Sequence, residues 1–249
     1  MGLCLGTAMR RTEALQSLTT SFAPGRWRVE LHSHTHWSKD CIVKPETILR
    51  LCQLRGIDRV AITDHNTADG ALEMHAFAPD KVIVGEEIMT TQGELLGYFM
   101  TETVPPGLTP EETIRRLRRQ GAVISVSHPF DRLRKGAWEE QDLMRIVHEV
   151  DAIEVFNARC MFGEDNVKAV QFARKHGVCG TFGSDAHSSV EYGRAVALMN
   201  PFNNAAEFLA ALETSKADCR YSSWFVHVSS KTAKWSKKLG LKPRLWSGG

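Results

Sequence analysis

Short apolar, β-branched segments alternate with longer amphipathic segments along most of the chain. The short segments predict β-strands at Trp27–Leu31, Arg59–Thr63, Lys81–Ile88, Glu94–Met100, Ala122–Ser127, Ala152–Phe156 and Cys179–Phe182. The segments between them predict helices at Pro45–Arg55, Asp69–Ala76, Pro110–Gln120, Gln141–Val147 and Glu164–His176. Repeated strand–helix units favour a mostly parallel sheet, either closed into a barrel or open and doubly wound.

Local signals support several of these boundaries. Thr109 precedes a proline and two acidic residues, which is a typical helix start, and Gly56, Gly121 and Gly177 stand where helices should end. Residues 90–93 predict a turn that joins the third and fourth strands. The phosphate-binding glycine motifs GxGxxG and GxxxxGK[ST] follow none of the predicted strands, so the usual nucleotide cradles are excluded.

Composition narrows the class of protein. Hydrophobic residues make up 43% of the 249 positions and charged residues 24%, which excludes a disordered or fibrous chain. This length suits one α/β barrel of roughly 250 residues. Lys and Arg number 31 against 29 Asp and Glu, so the net charge of +2 gives no overall attraction to nucleic acid or membranes.

The cysteines and the hydropathy pattern indicate the compartment. The six cysteines are irregularly spaced and form no CxxC pair, which argues against a disulfide framework and against a thiolate zinc site. No apolar run approaches the ~18 residues that a membrane-spanning helix needs. We therefore expect a cytoplasmic protein without a transmembrane segment.

The chain divides into three parts. We expect an N-terminal extension over residues 1–25, one catalytic domain over residues 26–222 and a basic tail over residues 223–249. The tail follows the last acidic residue, Asp218, and contains tryptophans among its basic residues. It is expected to form a packed or surface helix, solvated or in contact with an anionic surface.

Polar groups, most of which can bind metals, stand at the carboxyl ends of six predicted strands. These groups are His32 and His34, Asp64 and His65, Glu86 and Glu87, His128, Asn157 and Arg159, and Asp185 and His187. Active sites of parallel α/β folds assemble at the carboxyl ends of the strands. The sequence therefore predicts that these side chains meet at one edge of the sheet.

The residue types at this edge indicate metal ions. Residues i and i+2 of an extended strand point the same way, so His32 and His34 can bind one ion together. Imidazole and carboxylate ligands without thiolates suit Zn, Mn or Fe, and more than four ligands imply more than one ion. The structural alternatives are hydrogen-bonded histidines and helix-capping roles for Asp64 and Asp185.

Five short motifs, taken in order, resemble those of the PHP (polymerase and histidinol phosphatase) domain family. They are Leu31–Thr35, Ala61–Thr67, Val84–Ile88, Ser127–Pro129 and Gly183–His187. The resemblance covers about residues 27–200. It implies an α/β fold, a distorted (β/α)7 TIM-like barrel, with two or three divalent metal ions at the carboxyl ends of the strands and hydrolysis of phosphate mono- or diesters.

The resemblance also implies which residues bind each ion. For the first ion the ligands would be His32, His34, Glu87 and Asp185. For the second, Glu87 would bridge and His128 would bind, and for the third the ligands would be His65 and His187.

Two positions depart from the commonest family pattern. An acid is expected seven residues after the first histidine, where this chain has Lys39, so we expect Asp40 to serve instead. A histidine often completes the second site from the next strand, where this chain has Glu94. A carboxylate there favours harder ions such as Mn or Fe.

Other residues are expected around the ions. Asp64 is expected to orient a metal ligand without binding the ion itself. Arg159, Asn157 and Arg132 are the candidates for substrate binding, because guanidinium groups bind phosphate oxygens bidentately and an amide can hydrogen-bond in the site. The structural alternatives are an ion pair of Arg159 with Glu154 or Asp185, and a solvated loop around Arg132.

These expectations combine into a metal-dependent phosphoesterase. A hydroxide that bridges the first two ions would attack phosphorus, and the ions and Arg159 would neutralise the charge on the phosphoryl oxygens. The expected substrates are small phosphorylated molecules, with nucleotides and oligonucleotides included. The alternatives are hydrolysis of another ester or amide bond, and a nucleic-acid-associated module that uses the basic tail.

Overall fold

The computed structural model describes residues 25–223 and Val226, and these residues form nine strands and six helices. The strands are β1 (Trp27–Glu30), β2 (Arg59–Ile62), β3 (Val82–Met89), β4 (Glu94–Tyr98), β5 (Val123–Val126), β6 (Ala152–Asn157), β7 (Cys179–Gly183), β8 (Ala195–Met199) and β9 (Lys216–Cys219). The helices are α1 (Pro45–Arg55), α2 (Asp69–Phe77), α3 (Pro110–Arg119), α4 (Glu140–Ile146), α5 (Gly163–His176) and α6 (Ala205–Glu213). The predicted N-terminal extension and basic tail lie almost wholly outside the described residues.

The nine strands form one sheet in the order β7-β6-β5-β4-β3-β2-β1-β8-β9. The pairs β1–β2, β2–β3, β5–β6 and β6–β7 are parallel. Strand β4 is antiparallel to both neighbours, because the turn at residues 90–93 joins it directly to β3. Strands β8 and β9 extend the sheet in antiparallel pairing beyond β1.

The two ends of the seven-stranded part meet just beyond the strands. Ser33, after β1, forms a parallel bridge with Ala186, after β7. The His34 amide donates to the carbonyl of Ala186 at 3.0 Å, and the Asp185 amide donates to the carbonyl of His32 at 2.8 Å. The sheet is therefore a nearly closed barrel, and the predicted fold is confirmed.

Three elements, β8, α6 and β9, were not predicted from the sequence. All five residues of β8 are buried, so the strand lacks the alternation of apolar and polar positions that marks a half-exposed strand. Helix α6 had a readable start, because the side chain of Asn204 accepts a hydrogen bond from the Glu207 amide at 2.9 Å.

Apolar side chains fill the barrel from the amino ends of its strands. Val29, Ala61, Ile83 and Val123 belong to one buried cluster that also includes Phe208 of α6. A second cluster lies between the sheet and the helices that cover it, with contributions from α1 to α5. The polar groups at the carboxyl ends of the strands thus lie against the first of these clusters, here called the apolar floor. This cluster limits their access to water.

Among the described residues, no helix is both long enough and apolar enough to cross a membrane.

Candidate metal centre

Four buried side chains converge where β1, β3 and β7 end. The Nε2 atom of His32 lies 3.4 Å from Glu87 Oε2 and 3.8 Å from Asp185 Oδ1. The Nε2 atom of His34 lies 3.5 Å from the same glutamate oxygen and 3.3 Å from the same aspartate oxygen. All four residues are fully buried. They are the residues expected to hold the first ion.

The spacing of these atoms fits a shared ion. Donor atoms bound tetrahedrally at 2.0–2.2 Å from one ion lie about 3.4 Å apart. His32 Nε2, His34 Nε2, Glu87 Oε2 and Asp185 Oδ1 also lack a hydrogen-bond partner, although all are buried. Buried polar atoms normally have hydrogen-bond partners. Four buried atoms that lack such partners and lie at metal-ligand spacing are what an ion site requires.

A second cluster of side chains contains Asp40, His65 and His187. Asp40 Oδ1 lies 3.3 Å from His187 Nε2 and 3.6 Å from His65 Nε2, and the two imidazole nitrogens are 3.4 Å apart. Burial would raise the pKa of Asp40, but the hydrogen bond and positive charge of His187 hold it well below its usual range. The structure therefore places Asp40 where the expected one-residue shift requires it.

Glu87 connects these groups to His128 and Glu94. Its Oε1 atom accepts hydrogen bonds from Ser127 Oγ at 2.7 Å and from His128 Nε2 at 3.0 Å, and its Oε2 atom lies 2.9 Å from His65 Nδ1. Glu94 Oε2 lies 3.5 Å from His128 Nε2. Burial and the neighbouring charge of Glu87 raise the pKa of Glu94. Glu87 therefore lies between the residues expected for the first ion and those expected for the second.

Asp64 acts on His34 through Ser38. Asp64 Oδ1 accepts hydrogen bonds from the Thr35 amide at 2.7 Å and from Ser38 Oγ at 2.6 Å. Because Ser38 gives its only hydroxyl proton to Asp64, its oxygen accepts from His34 Nδ1, which lies 3.0 Å away. The remaining nitrogen, Nε2, then carries the free lone pair and faces Glu87 and Asp185. Burial, reinforced by His187 and His65, also lowers the pKa of His34 well below its usual range, so the ring is neutral.

The segment around Asp185 does not continue the strand before it. Strand β7 ends at Gly183, and Asp185 has a φ of 51°. A left-handed backbone conformation is tolerated by aspartate more readily than by most residues. The turn still leaves His187 Nδ1 3.3 Å from Asp185 Oδ1, so both side chains reach the cluster.

The expected substrate-binding residues have partners within the protein. Arg159 is buried and forms an ion pair with Glu191, with Nε 3.3 Å from Glu191 Oε1, and its Nη1 atom lies 2.6 Å from His187 Nδ1. Asn157 donates through Nδ2 to Glu154 Oε2 at 3.0 Å. These contacts hold both residues in fixed orientations beside the cluster.

Arg132 and Arg134 differ in where they point. Arg132 pairs with Asp165 at 2.5 Å, and 58% of its side chain is exposed. Arg134 instead pairs with Asp185, whose pKa burial would raise but the arginine charge lowers well below its usual range. Both arginines lie in the loop between β5 and α4, and the structure brings Arg134 rather than the expected Arg132 to the cluster.

Sequence reasoning considered Glu154 only as a possible ion-pair partner of Arg159. Its Oε1 atom lies 2.9 Å from His32 Nδ1, and it is buried in β6. The sequence does show that Glu154 is a charged residue inside an otherwise apolar strand. A buried carboxylate needs hydrogen-bond or ionic partners, so this position could have indicated a role.

The arrangement can hold more than one divalent ion at the carboxyl ends of the strands. The structure brings together all nine expected metal ligands: His32, His34, Asp40, His65, Glu87, Glu94, His128, Asp185 and His187. Ions held by such groups polarise an ester and lower the pKa of coordinated water. The donor set of imidazoles and carboxylates suits Zn, Mn or Fe.

Solved structures with the same fold include two with informative descriptions. One is a two-domain protein from Bacteroides vulgatus that contains a predicted PHP-like metal-dependent phosphoesterase, with a TM-score of 0.63, 17% identity and coverage of 82% of this chain and 68% of that one. The other is a lesion-specific endonuclease from Pyrococcus furiosus, with a TM-score of 0.53, 16% identity and coverage of 90% and 68%.

Sequence relatives support the same assignment. An uncharacterised protein of Methanocaldococcus jannaschii is 38% identical over 182 residues, which are 71% of this chain and 72% of that protein. Residues 30–151 match the PHP domain and residues 163–217 match the PHP-associated region. The chain therefore belongs to the PHP domain family.

Proposed function

We propose that this protein is a hydrolase of phosphate mono- or diesters that depends on two or three ions of Zn, Mn or Fe. The observation that carries the proposal is the convergence of unsatisfied, buried donor atoms on His32, His34, Glu87 and Asp185. In the family pattern, Glu87 would bridge to a second site with His128 and Glu94, and Asp40, His65 and His187 would form a third.

The protein's own groups complete the site. When bound, the ions supply an activated water and neutralise charge on the phosphoryl oxygens. Arg159 and Arg134 bring two guanidinium groups to the cluster from different loops, and guanidinium groups suit phosphoryl oxygens. Arg132 is expected to contribute at the mouth rather than at the ions, because Asp165 holds it there.

The exposed surface around the site favours a substrate with an aromatic group. The loops that follow β1, β5, β6 and β7 carry exposed apolar side chains, here called the mouth rim: Trp37, Ile42, Leu133, Met161, Phe162 and Val190. Four of the five exposed charged residues among the described residues of these loops are the cations Lys39, Lys44, Arg132 and Lys135, and the fifth is Glu139. The Arg132 guanidinium lies 4.9 Å from the centre of the Phe162 ring.

Aromatic and cationic side chains together are typical of surfaces that bind unpaired nucleobases and their phosphates. The mouth rim therefore supports nucleotides or oligonucleotides as the substrate, rather than a small phosphate ester without an aromatic group. The alternative module built on the basic tail concerns residues outside the described part of the chain.

The proposal is tested by metal analysis of the purified protein and by a substrate panel. The panel contains p-nitrophenyl phosphate, bis(p-nitrophenyl) phosphate, a nucleoside monophosphate, a single-stranded oligonucleotide, an amide and a lactone, each with and without chelator. We expect at least two ions per chain and chelator-sensitive release of phosphate or of nucleotides. His32→Ala and His34→Ala should lose both bound metal and activity. His148→Ala is the matched control, because this histidine is exposed.

Specific outcomes would contradict the proposal. Fewer than one bound ion per chain together with no chelator-sensitive hydrolysis would refute it. Hydrolysis of the amide or lactone alone would assign the metals to carbonyl chemistry. Oligonucleotide cleavage that is unaffected by Trp37→Ala and Phe162→Ala would refute the role of the mouth rim without refuting phosphoesterase activity.

A further inference from the structure

Glu154 contacts two of the expected metal-ligand segments at once. Its Oε1 atom lies 2.9 Å from His32 Nδ1, and its Oε2 atom accepts from the His128 amide at 2.9 Å and from Asn157 Nδ2 at 3.0 Å. The carboxylate is only 2% exposed. We propose that Glu154 is a positioning residue that fixes the tautomer of His32 and the backbone at His128.

A β-bulge brings Glu154 and Asn157 to the same side of β6. Residues three apart in a regular strand point to opposite faces. In β6, Glu154 opposes Thr181 and Phe156 opposes Phe182, so the strand gains one residue between them relative to β7. The hydrogen bond between Asn157 and Glu154 shows that the bulge turns both side chains inward.

Gly183 provides the space for this contact. A Cβ atom at position 183 would overlap Glu154 Oε1 and would lie 2.6 Å from His32 Cβ. The glycine is the last residue of β7, next to the segment that carries Asp185. Its missing side chain therefore allows Glu154 to reach His32 across the barrel.

The three contacts require a group that only accepts hydrogen bonds. The His128 amide and Asn157 Nδ2 are donors, so Oε2 must accept from both. With Oε1 also accepting, His32 carries its proton on Nδ1, and Nε2 presents a lone pair toward Glu87 and Asp185. A neutral amide at position 154 cannot satisfy all three partners while His32 keeps its proton on Nδ1.

Glu154→Gln therefore has two unfavourable orientations. If the amide nitrogen faces His128 and Asn157, it meets two hydrogen-bond donors and can accept from neither of them. If it faces His32, the ring must accept through Nδ1 and its proton moves to Nε2, the atom needed for the ion. Either orientation weakens metal binding without removing an expected ligand.

The inference rests on the metal-binding part of the proposed function and is independent of which bond is hydrolysed. The test measures Zn²⁺ affinity by competition with a fluorescent chelator for the unmodified chain, for Glu154→Gln and for Ser125→Ala. Ser125 is a matched control because its buried hydroxyl bonds to Thr181 Oγ1 at 2.8 Å and touches no expected ligand. We expect Glu154→Gln to bind Zn²⁺ about 10- to 100-fold more weakly, as for other residues that orient metal ligands, and the control to stay within about threefold.

A second measurement reads the tautomer directly and needs no Glu154 variant. In protein with ¹⁵N-labelled histidine, His32→Gln identifies the His32 signals by their loss. We expect the His32 ring of the zinc-loaded unmodified chain to be protonated at Nδ1 and to bind metal through Nε2. An Nδ1-bound metal would overturn the inference, and so would Zn²⁺ affinity of Glu154→Gln within about threefold of the unmodified chain. An unmodified chain that binds no Zn²⁺, Mn²⁺ or Fe²⁺ would instead refute the proposed function, and the inference with it.

Discussion

Removing the Ser38 hydroxyl should weaken the candidate metal centre more than changing the charge of Asp64 does. The Ser38 oxygen accepts from His34 Nδ1 at 3.0 Å and from the His65 amide at 3.1 Å, and its proton goes to Asp64 at 2.6 Å. In Ser38→Ala both donors lose their acceptor, and the tautomer of His34 is no longer fixed. In Asp64→Asn the side-chain oxygen can still accept from Ser38 while the new amide donates to Thr35 Oγ1.

The contacts set the size of the expected effects. A buried donor left without an acceptor costs about 1–3 kcal/mol, so two such donors lower the free energy of unfolding by about 3 kcal/mol once partial relaxation is included. For a domain of this size, that loss corresponds to a decrease in Tm of about 6–12 °C. Loss of the tautomer constraint should weaken metal binding about 10- to 100-fold. Asp64→Asn keeps its acceptor toward Ser38, so we expect it to cost about 1 kcal/mol.

Two assays separate the stability effect from the binding effect. Thermal unfolding of the metal-free proteins reports the lost hydrogen bonds, and Zn²⁺ competition with a fluorescent chelator reports the orientation of His34. Asp64→Ala provides the upper limit, because it removes the carboxylate that accepts from the Ser38 hydroxyl and from the amide and hydroxyl of Thr35. The reasoning is wrong if Ser38→Ala keeps its Zn²⁺ affinity within about threefold, or if Asp64→Asn loses more affinity than Ser38→Ala does.

Four further outcomes follow from the structure. Gly136→Ala should lower the number of ions per chain measured by mass spectrometry, because a Cβ there would overlap the Glu94 carboxylate; an unchanged count would contradict this. Burial raises the pKa of Cys52 to about 12 from 9.0. At pH 8 the thiolate form of Cys52 is therefore about 1,000-fold less abundant in the native protein than in the urea-unfolded protein. Its iodoacetamide labelling in the native protein should therefore be very slow and should quicken as pH rises. Thr109→Ala should cost about 1 kcal/mol in urea unfolding, because Thr109 Oγ1 caps α3 by accepting from the Glu112 amide at 3.2 Å. Zn²⁺ at about 100 times its Kd should stabilise the protein by about 2.7 kcal/mol, and chelator should reverse the rise in Tm.

The convergence of strand-end side chains could be predicted from general rules of strands, whereas the assignment of individual ligands followed from the resemblance to the PHP family. The i and i+2 spacing of His32 and His34 puts both side chains on one face, and parallel strands bring their carboxyl ends to one edge. Asp40 can reach the cluster because the loop after β1 turns back on itself. In this turn the His36 amide donates to the Val43 carbonyl at 2.8 Å. None of these inferences needed the detailed packing of the domain.

The arginines show where such rules stop. Arg132 and Arg134 share one loop, and nothing in their spacing indicates which of them turns inward. The choice depends on Asp165, which α5 places where it captures Arg132, and on a turn in which the Arg134 amide donates to the Asp131 carbonyl at 2.9 Å. Both determinants are contacts between segments distant in the fold or local backbone geometry, which single-sequence patterns do not report.

The same limit explains why the role of Glu154 was not predicted. The acid is conspicuous inside the apolar strand β6, but its orientation relative to Asn157 depends on the bulge near Val155. A β-bulge is one extra residue in a pairing, so it becomes visible only when the partner strand and its register are known.

The apolar floor and the satisfied polar groups together make the centre selective for cations. Asp64, Ser38 and Glu154 satisfy the ring nitrogens that face away from the cluster, which leaves Nε2 of His32 and His34 as the unsatisfied atoms. Apolar side chains below the cluster limit the water that could satisfy these atoms instead. Buried carboxylates and imidazoles at ligand spacing are costly unless a cation joins them. Under the proposed function, the free energy of metal binding is coupled to that of folding, and the groups that orient the ligands raise metal affinity at the expense of the metal-free state.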